Sequence, residues 1–205
     1  MHLETGQMQS IVSDLASRDE KLAKVIAGHK LCTLASKPNS TSNFEALVES
    51  VVSQQLSVKA ADTIYSRLAA LCGSGVAPGP IAKLSDEAMR EAGLSGAKTK
   101  TIRGLAEAAI SGVIDFEGLH LIDDDEAIST QLNSLWGIGP WTVDMFMMHQ
   151  LHRLDVWPTG DLGVRRGWQN IYGLDQKIEA AELGPLGEGF RPYRSVVAWY
   201  CWRAA

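Results

Sequence analysis

The sequence predicts an all-α protein, and three observations carry the prediction. Apolar residues recur at helical spacing through most of the chain, no stretch alternates apolar and polar residues between hairpin signals, and Ser, Asp or Pro open the periodic runs while Gly and Pro close them. With 205 residues, 45% of them hydrophobic and 21% charged, there is apolar material for a real core and no disorder signature. The length suits one large domain or two small lobes.

Taken in order, the N-terminal residues are polar, lack the apolar core of a secretory signal and read as helical up to Phe44. Ser42 with Glu45 makes a capping box, after which Phe44, Leu47, Val48, Val51 and Val52 form one apolar helix face ending near Ser53-Gln54-Gln55-Leu56-Ser57. A second helix starts at Ser57, carries Ala61, Ile64, Leu68 and Leu71 on its face, and stops at Gly73. Pro78-Gly79-Pro80 reads as a loop too short to link domains. Further short helices are predicted over 86–92, 98–112, 125–136, 140–151, 161–169, 175–183 and 194–203.

Charge narrows the function classes. Nineteen Lys and Arg against 24 Asp and Glu give a net charge of −5, which argues against a general nucleic-acid coating protein but leaves room for a small phosphate-contacting face. Asp115, Glu117, Asp123, Asp124, Asp125 and Glu126 form an acidic run without a basic residue, read as a solvated face. Lys98, Lys100 and Arg103, and later Arg191, Arg194 and Arg203, stand in segments without acid. Cys32, Cys72 and Cys201 are far apart and form no C-x-x-C pair, so no disulfide framework or zinc or iron–sulfur loop is written here. His149 and His152 have no ligand set nearby and read as surface or packing residues. No apolar run approaches the ~18 residues of a membrane span, and the chain is expected in the cytoplasm, at a bacterial nucleoid, or in a nucleus.

The most informative passage is Leu135-Trp136-Gly137-Ile138-Gly139-Pro140-Trp141-Thr142. Two glycines flank one apolar residue and Pro140 follows where a helix would begin, which reads as a tight helix–turn–helix. The amides at the start of the second helix, beside a positive dipole end, make such a turn an anion site, with phosphate the obvious anion. G-x-G alone is equally compatible with a plain αα-hairpin. Downstream, Pro158-Thr159-Gly160 forms a turn that sets Asp161 at a helix N-terminus, with Arg165 and Arg166 one turn on. In isolation Asp161 reads as a helix cap.

Together these passages resemble the helix-hairpin-helix DNA glycosylases of base-excision repair. That family sets a hairpin of the form L-x-G-I-G-x-x-T one helix and a Pro/Gly turn before an essential aspartate. The resemblance extends to Phe44 through Ser57, similar to the family's early helix and DNA-wedge loop, and to Gly93-Leu94-Ser95 through Ala106, similar to the helix pair before the hairpin. Arg191-Pro192-Tyr193-Arg194-Ser195 with Trp202 resembles the closing helix of the alkylated-base branch, the 3-methyladenine DNA glycosylase II type. It implies a two-lobed helical bundle, with the hairpin over about 128–151, the N- and C-terminal segments in one lobe, and about 45–160 in the other, all one compact unit over 1–205. Trp141 stands where lyase members carry lysine, so no Schiff base is expected. Only four residues follow Cys201, so no iron–sulfur cluster is expected, and the segment before Phe44 is too short and too helical for the β-rich N-terminal lobe of larger relatives.

The resemblance also assigns roles. Asp161 is the expected catalytic carboxylate, stabilising an oxocarbenium-like sugar and orienting water. Trp141, Trp202 and Met145 form the expected base pocket, where aromatic faces favour a cationic alkylated purine by ~0.5–2 kcal/mol. Met145 stands where some relatives carry tyrosine. Gln54, Gln55 and Leu56 are the expected minor-groove wedge. Gly137, Ile138, Gly139 and Thr142 are expected to hold a phosphate, with a monovalent cation admitted at the backbone near Gly137 and Gly139. Lys98, Lys100, Arg165, Arg166, Arg194 and Ser195 are candidate DNA-backbone contacts. No cofactor is called for, and the expected partner is duplex DNA with alkylated bases, bound by a monomer and away from membranes. A non-catalytic helix-hairpin-helix DNA-binding protein, or a glycosylase for another damaged base, is the alternative.

Overall fold

The computed structural model describes residues 3–73 and 75–205, so Met1, His2 and Ser74 lie outside the described residues. Those residues form helices joined by short turns, with no strand among them. In chain order the helices are α1 (Thr5–Arg18), α2 (Glu20–Gly28), α3 (Asn43–Ser53), α4 (Val58–Cys72), α5 (Pro78–Lys83), α6 (Asp86–Glu91), α7 (Gly96–Ile110), α8 (Asp125–Asn133), α9 (Pro140–His149), α10 (Leu162–Tyr172), α11 (Ala180–Leu186) and α12 (Arg194–Ala204). Single 3-10 turns sit at Glu117–Leu121 and Glu188–Phe190. None of these helices is long and apolar enough to cross a membrane.

The chain divides into two compact units, one made of the residues up to Pro38 with Met147–Ala205, the other of Asn39–Phe146. The boundary near 160 expected from the sequence is replaced by one inside α9. The reason is that the segment after α9 is stitched to α12: the Ser195 amide donates to the Leu154 carbonyl, the Ser195 hydroxyl donates to the Arg153 carbonyl and accepts from the Val156 amide, and Arg194 grips Asp155.

In the 39–146 unit, α3 follows its apolar stripe. Ser42 accepts the Glu45 amide as N-cap, and Leu47, Val48, Val51 and Val52 are fully buried, each worth ~1.5–3 kcal/mol of burial. In the same unit Leu68, Ile81, Met89, Ile102, Leu105, Ile128 and Leu132 are also completely enclosed. Glu117, from the acidic run, accepts the Asn43 and Phe44 amides at the start of α3. In the other unit, Leu15 and Leu22 meet a core of Val164, Trp168 and the almost wholly buried stretch Val196–Cys201. There α10 and α12 touch backbone to backbone, since a Cβ built on Gly167 would lie 1.8 Å from the Cys201 carbonyl oxygen.

Three segments depart from the expected pattern. Pro78-Gly79-Pro80 opens α5, because Pro78 stands at the first helical position, where its fixed φ and missing N–H cost nothing. α8 stops at Asn133, and the Leu135 amide donates to Leu132 to begin the hairpin turn. α11 starts later than expected, where Glu179 and Glu182 form a reciprocal capping box.

Candidate active site

Asp161 is the N-cap of α10. Its Oδ1 accepts the Val164 amide at 2.8 Å and the Trp202 indole N–H, also at 2.8 Å. The cap expected on local grounds and the tryptophan expected from the resemblance therefore converge on one oxygen atom. Glycine makes this possible: a Cβ on Gly163 would lie 2.9 Å from Trp202 Cδ1 and 3.1 Å from Asp161 Oδ1. Gly163 leaves the indole room across the first turn of α10, and Gly167, one turn on, lets α12 approach closely enough to deliver it. His149 stacks on Trp202 with ring centroids 5.8 Å apart and planes at 21°. Desolvation, reinforced by the charge of His152, holds the His149 imidazole below its ordinary pKa. Gly163, Gly167 and His149 are site residues that the sequence alone did not single out.

The hairpin glycines have different jobs. Gly137 has φ +83° and its missing Cβ would lie 2.1 Å from Thr101 Oγ1, so both backbone conformation and the approach of α7 require it. Gly139 has nothing within 4 Å of the Cβ position and leaves open space for an approaching partner. Ile138 is corrected as a phosphate residue: its side chain is 5% exposed and its amide donates to Leu135 across the turn. Thr142 is likewise corrected, being buried with its Oγ1 accepting from Gln54 Nε2 at 3.3 Å. Trp141 and Met145 lie one turn apart on the same face of α9, with Trp141 47% exposed and Met145 half-buried.

The wedge loop is organised by that same Gln54. Its side chain ties it to Thr142, while Lys98 Nζ donates to the carbonyls of Val52 and Gln54, each at 2.8 Å. Lys98 is thereby corrected from a DNA-backbone contact to a brace at the C-terminus of α3, half-buried and with a pKa lowered by desolvation. Gln55 takes φ +56° and Leu56 is 40% exposed, so these two residues form the outward tip of the loop.

Other basic candidates are corrected too. Arg194 is paired with Asp155 and Glu188, Arg165 with Glu179, and Ser195 is fully buried. The Arg194 guanidinium is taken up by Asp155 and Glu188 and the Ser195 hydroxyl by Arg153 and Val156, whereas Arg165 keeps N–H groups that Glu179 does not take. Arg166 and Lys100 remain exposed, and Lys100 Nζ lies 4.3 Å from the ring centroid of Trp136. Burial pushes the Cys32 thiol up to about 12 and raises those of Cys72 and Cys201, which removes any cysteine nucleophile. Among the described residues no group of three His, Cys, Asp or Glu side chains is placed to hold a metal.

Comparison with known proteins follows the same lines. Residues 48–185 match the family described as HhH-GPD superfamily base excision DNA repair protein. DNA-3-methyladenine glycosylase 1 of Schizosaccharomyces pombe is 32% identical over 218 aligned residues, covering 100% of this chain and 94% of that protein. The crystal structure of a DNA-3-methyladenine glycosidase from Bacillus halodurans is similar at a TM-score of 0.86 and 36% identity, over 95% of this chain and 88% of that one. The Schizosaccharomyces pombe 3-methyladenine DNA glycosylase in complex with abasic DNA gives a TM-score of 0.78 and 30% identity, over 96% and 95% of the two chains.

Proposed function

This chain belongs to the HhH-GPD superfamily of base excision DNA repair proteins, and from that membership we propose that it releases alkylated purines of the 3-methyladenine type from duplex DNA. It is a DNA glycosylase of base excision repair, a hydrolase of N-glycosyl bonds. Water attacks C1′ of the damaged nucleotide, the N-glycosidic bond breaks with its electron pair leaving on the base and cancelling its positive charge, and the proton lost by water passes to Asp161 and on to solvent, leaving an abasic site and a neutral free base.

The observation that carries the reading is Asp161, held at a helix N-terminus by two donors on one oxygen. A carboxylate fixed this way is oriented before substrate arrives, so its charge stabilises the developing oxocarbenium ion without reorganisation. Alkylation already makes the purine a good leaving group and gives it positive charge, so the pocket needs aromatic faces more than a strong acid. Trp202, hydrogen-bonded to the carboxylate, is assigned a stacking role, and the resemblance gives Trp141, exposed on α9, and Met145, one turn on, the role of contacting the base. Gln55 and Leu56 are assigned to fill the space left by the flipped nucleotide. The open side of Gly139 and the start of α9 are assigned to phosphate. A monovalent cation near Gly137 and Gly139 would be held by backbone carbonyls and would offset phosphate charge. With Trp141 in the lysine position the reaction is hydrolysis alone. The protein acts as a monomer on DNA, in a nucleoid or nucleus.

The test is base release from methylated duplex DNA by the wild type and Asp161→Asn. Asparagine keeps the N-cap and can still accept the indole N–H while removing the charge. A drop of at least about 100-fold is expected, and equal release by the two proteins would refute the assignment. No release by either protein would favour the non-catalytic DNA-binding alternative.

A further inference from the structure

Among the described residues, Trp136 stands out as an indole that the fold leaves 54% exposed, next to the first hairpin glycine. Its place is fixed from both directions in sequence. Gly137 is locked by its φ of +83° and by the pressure of Thr101 against the missing Cβ. Thr101 is in turn buried on α7, donating to the Ala97 carbonyl. Lys100, the neighbour of Thr101, lies over the Trp136 ring at 4.3 Å from its centroid. No carboxylate among the described residues pairs with that ammonium. An indole has one apolar body and one polar edge, which suits it to a surface that meets a partner. A cation parked on its face without a counter-ion, at the entry to the hairpin turn, narrows the partner to an anion with an apolar neighbour.

We propose that Lys100 and Trp136 form one composite contact to the DNA backbone, with the ammonium on a phosphodiester and the indole against the adjoining deoxyribose. The ring holds the ammonium at a set position, so less side-chain freedom is lost on binding than for an isolated lysine. The contact reads no base, because both groups face the sugar–phosphate chain. It adds one ionic contact to the few this acidic protein has. The inference rests on the assignment of the hairpin to phosphate, and its test includes a variant that addresses the hairpin separately.

The experiment measures Kd for an undamaged duplex across a salt series with Lys100→Gln, Trp136→Ala, Trp136→Phe, the Lys100→Gln/Trp136→Ala pair, and Gly139→Asp. Lys100→Gln is expected to weaken binding about five- to tenfold and to reduce the salt slope by roughly one. Trp136→Ala should weaken binding by a similar factor, Trp136→Phe by less, and the double variant no more than about the worse single one, as for residues sharing a contact. Circular dichroism and melting of each variant separate lost binding from lost fold, and Lys100→Gln, at an exposed position, gives the readout if Trp136→Ala melts early. Unchanged Kd for Lys100→Gln, or additive losses in the double variant, would overturn the composite contact. If Gly139→Asp weakens binding while the others do not, the inference fails and the hairpin assignment stands. If Gly139→Asp also binds normally, the hairpin assignment itself falls.

Discussion

The Asp161 site and the hairpin are built in opposite ways. Around Asp161, function depends on side chains delivered by packing: an indole from α12, a stacked imidazole from the end of α9, and two glycines on α10 that admit them. In the hairpin it depends on backbone: one glycine locked against α7, a second left open, and a proline that starts the next helix. The difference teaches that a carboxylate is held in one direction by side chains packed around it, whereas an open turn needs only main chain and space.

The largest effect that bears on this contrast is on stability. Gly167→Ala places a methyl group where the Cys201 carbonyl oxygen stands at 1.8 Å, a backbone atom that cannot rotate away. α10 and α12 must separate, at a cost on the order of 3 kcal/mol or more, which lowers Tm by roughly 6–12 °C for a chain of this size. Gly139→Ala meets nothing within 4 Å and should melt within about 2 °C of wild type while binding duplex more weakly. Equal melting losses at the two positions would show that the open and the locked glycine are not different in kind.

Next in size is the link between α12 and the carboxylate. Trp202→Phe keeps an aromatic face and removes the indole N–H that Asp161 accepts at 2.8 Å. Asp161 retains its bond from the Val164 amide but loses one of the two donors on Oδ1, so its direction is less well defined. A fall in kcat of about tenfold with little change in KM is expected, since ~1.4 kcal/mol of transition-state stabilisation is tenfold in rate. A change confined to KM would mean that Trp202 serves base binding alone.

The same contrast explains what was legible in the sequence. The all-α class and the stripe Phe44, Leu47, Val48, Val51 and Val52 follow from periodicity, and the hairpin follows from glycine spacing, because each depends on residues near one another in the chain. The place of Asp161 at the start of α10 is legible from the Pro158-Thr159-Gly160 turn before it. The roles of Gly163 and Gly167 are not legible, because a glycine required by residues more than 30 positions away carries no local mark, and the contact with Trp202 exists only after α12 has docked. The partners of Lys98 and Arg194 are not legible for the same reason: composition shows charge but not the carbonyl or carboxylate that the fold brings to it. Pro78 looks the same in sequence before a helix and within its first turn, and only the fold places it at the start of α5.

The smallest expected effect concerns His149, the imidazole stacked on Trp202. Desolvation lowers its pKa, with His152 adding to the effect, so the folded protein binds a proton there less readily than the unfolded chain does. The stability associated with this group is therefore fully present above the ordinary histidine value near 6.5 and is lost as pH falls from there through the lower folded value. His149→Gln removes the titration, so its melting temperature should decline less steeply than that of wild type between about pH 6.5 and 5. Parallel curves would mean that water reaches the ring well enough to accept the charge in the folded state. A shallower curve for the variant would place a proton-sensitive packing contact behind the tryptophan that orients Asp161, a dependence that the hairpin, built from main chain and glycine, does not share.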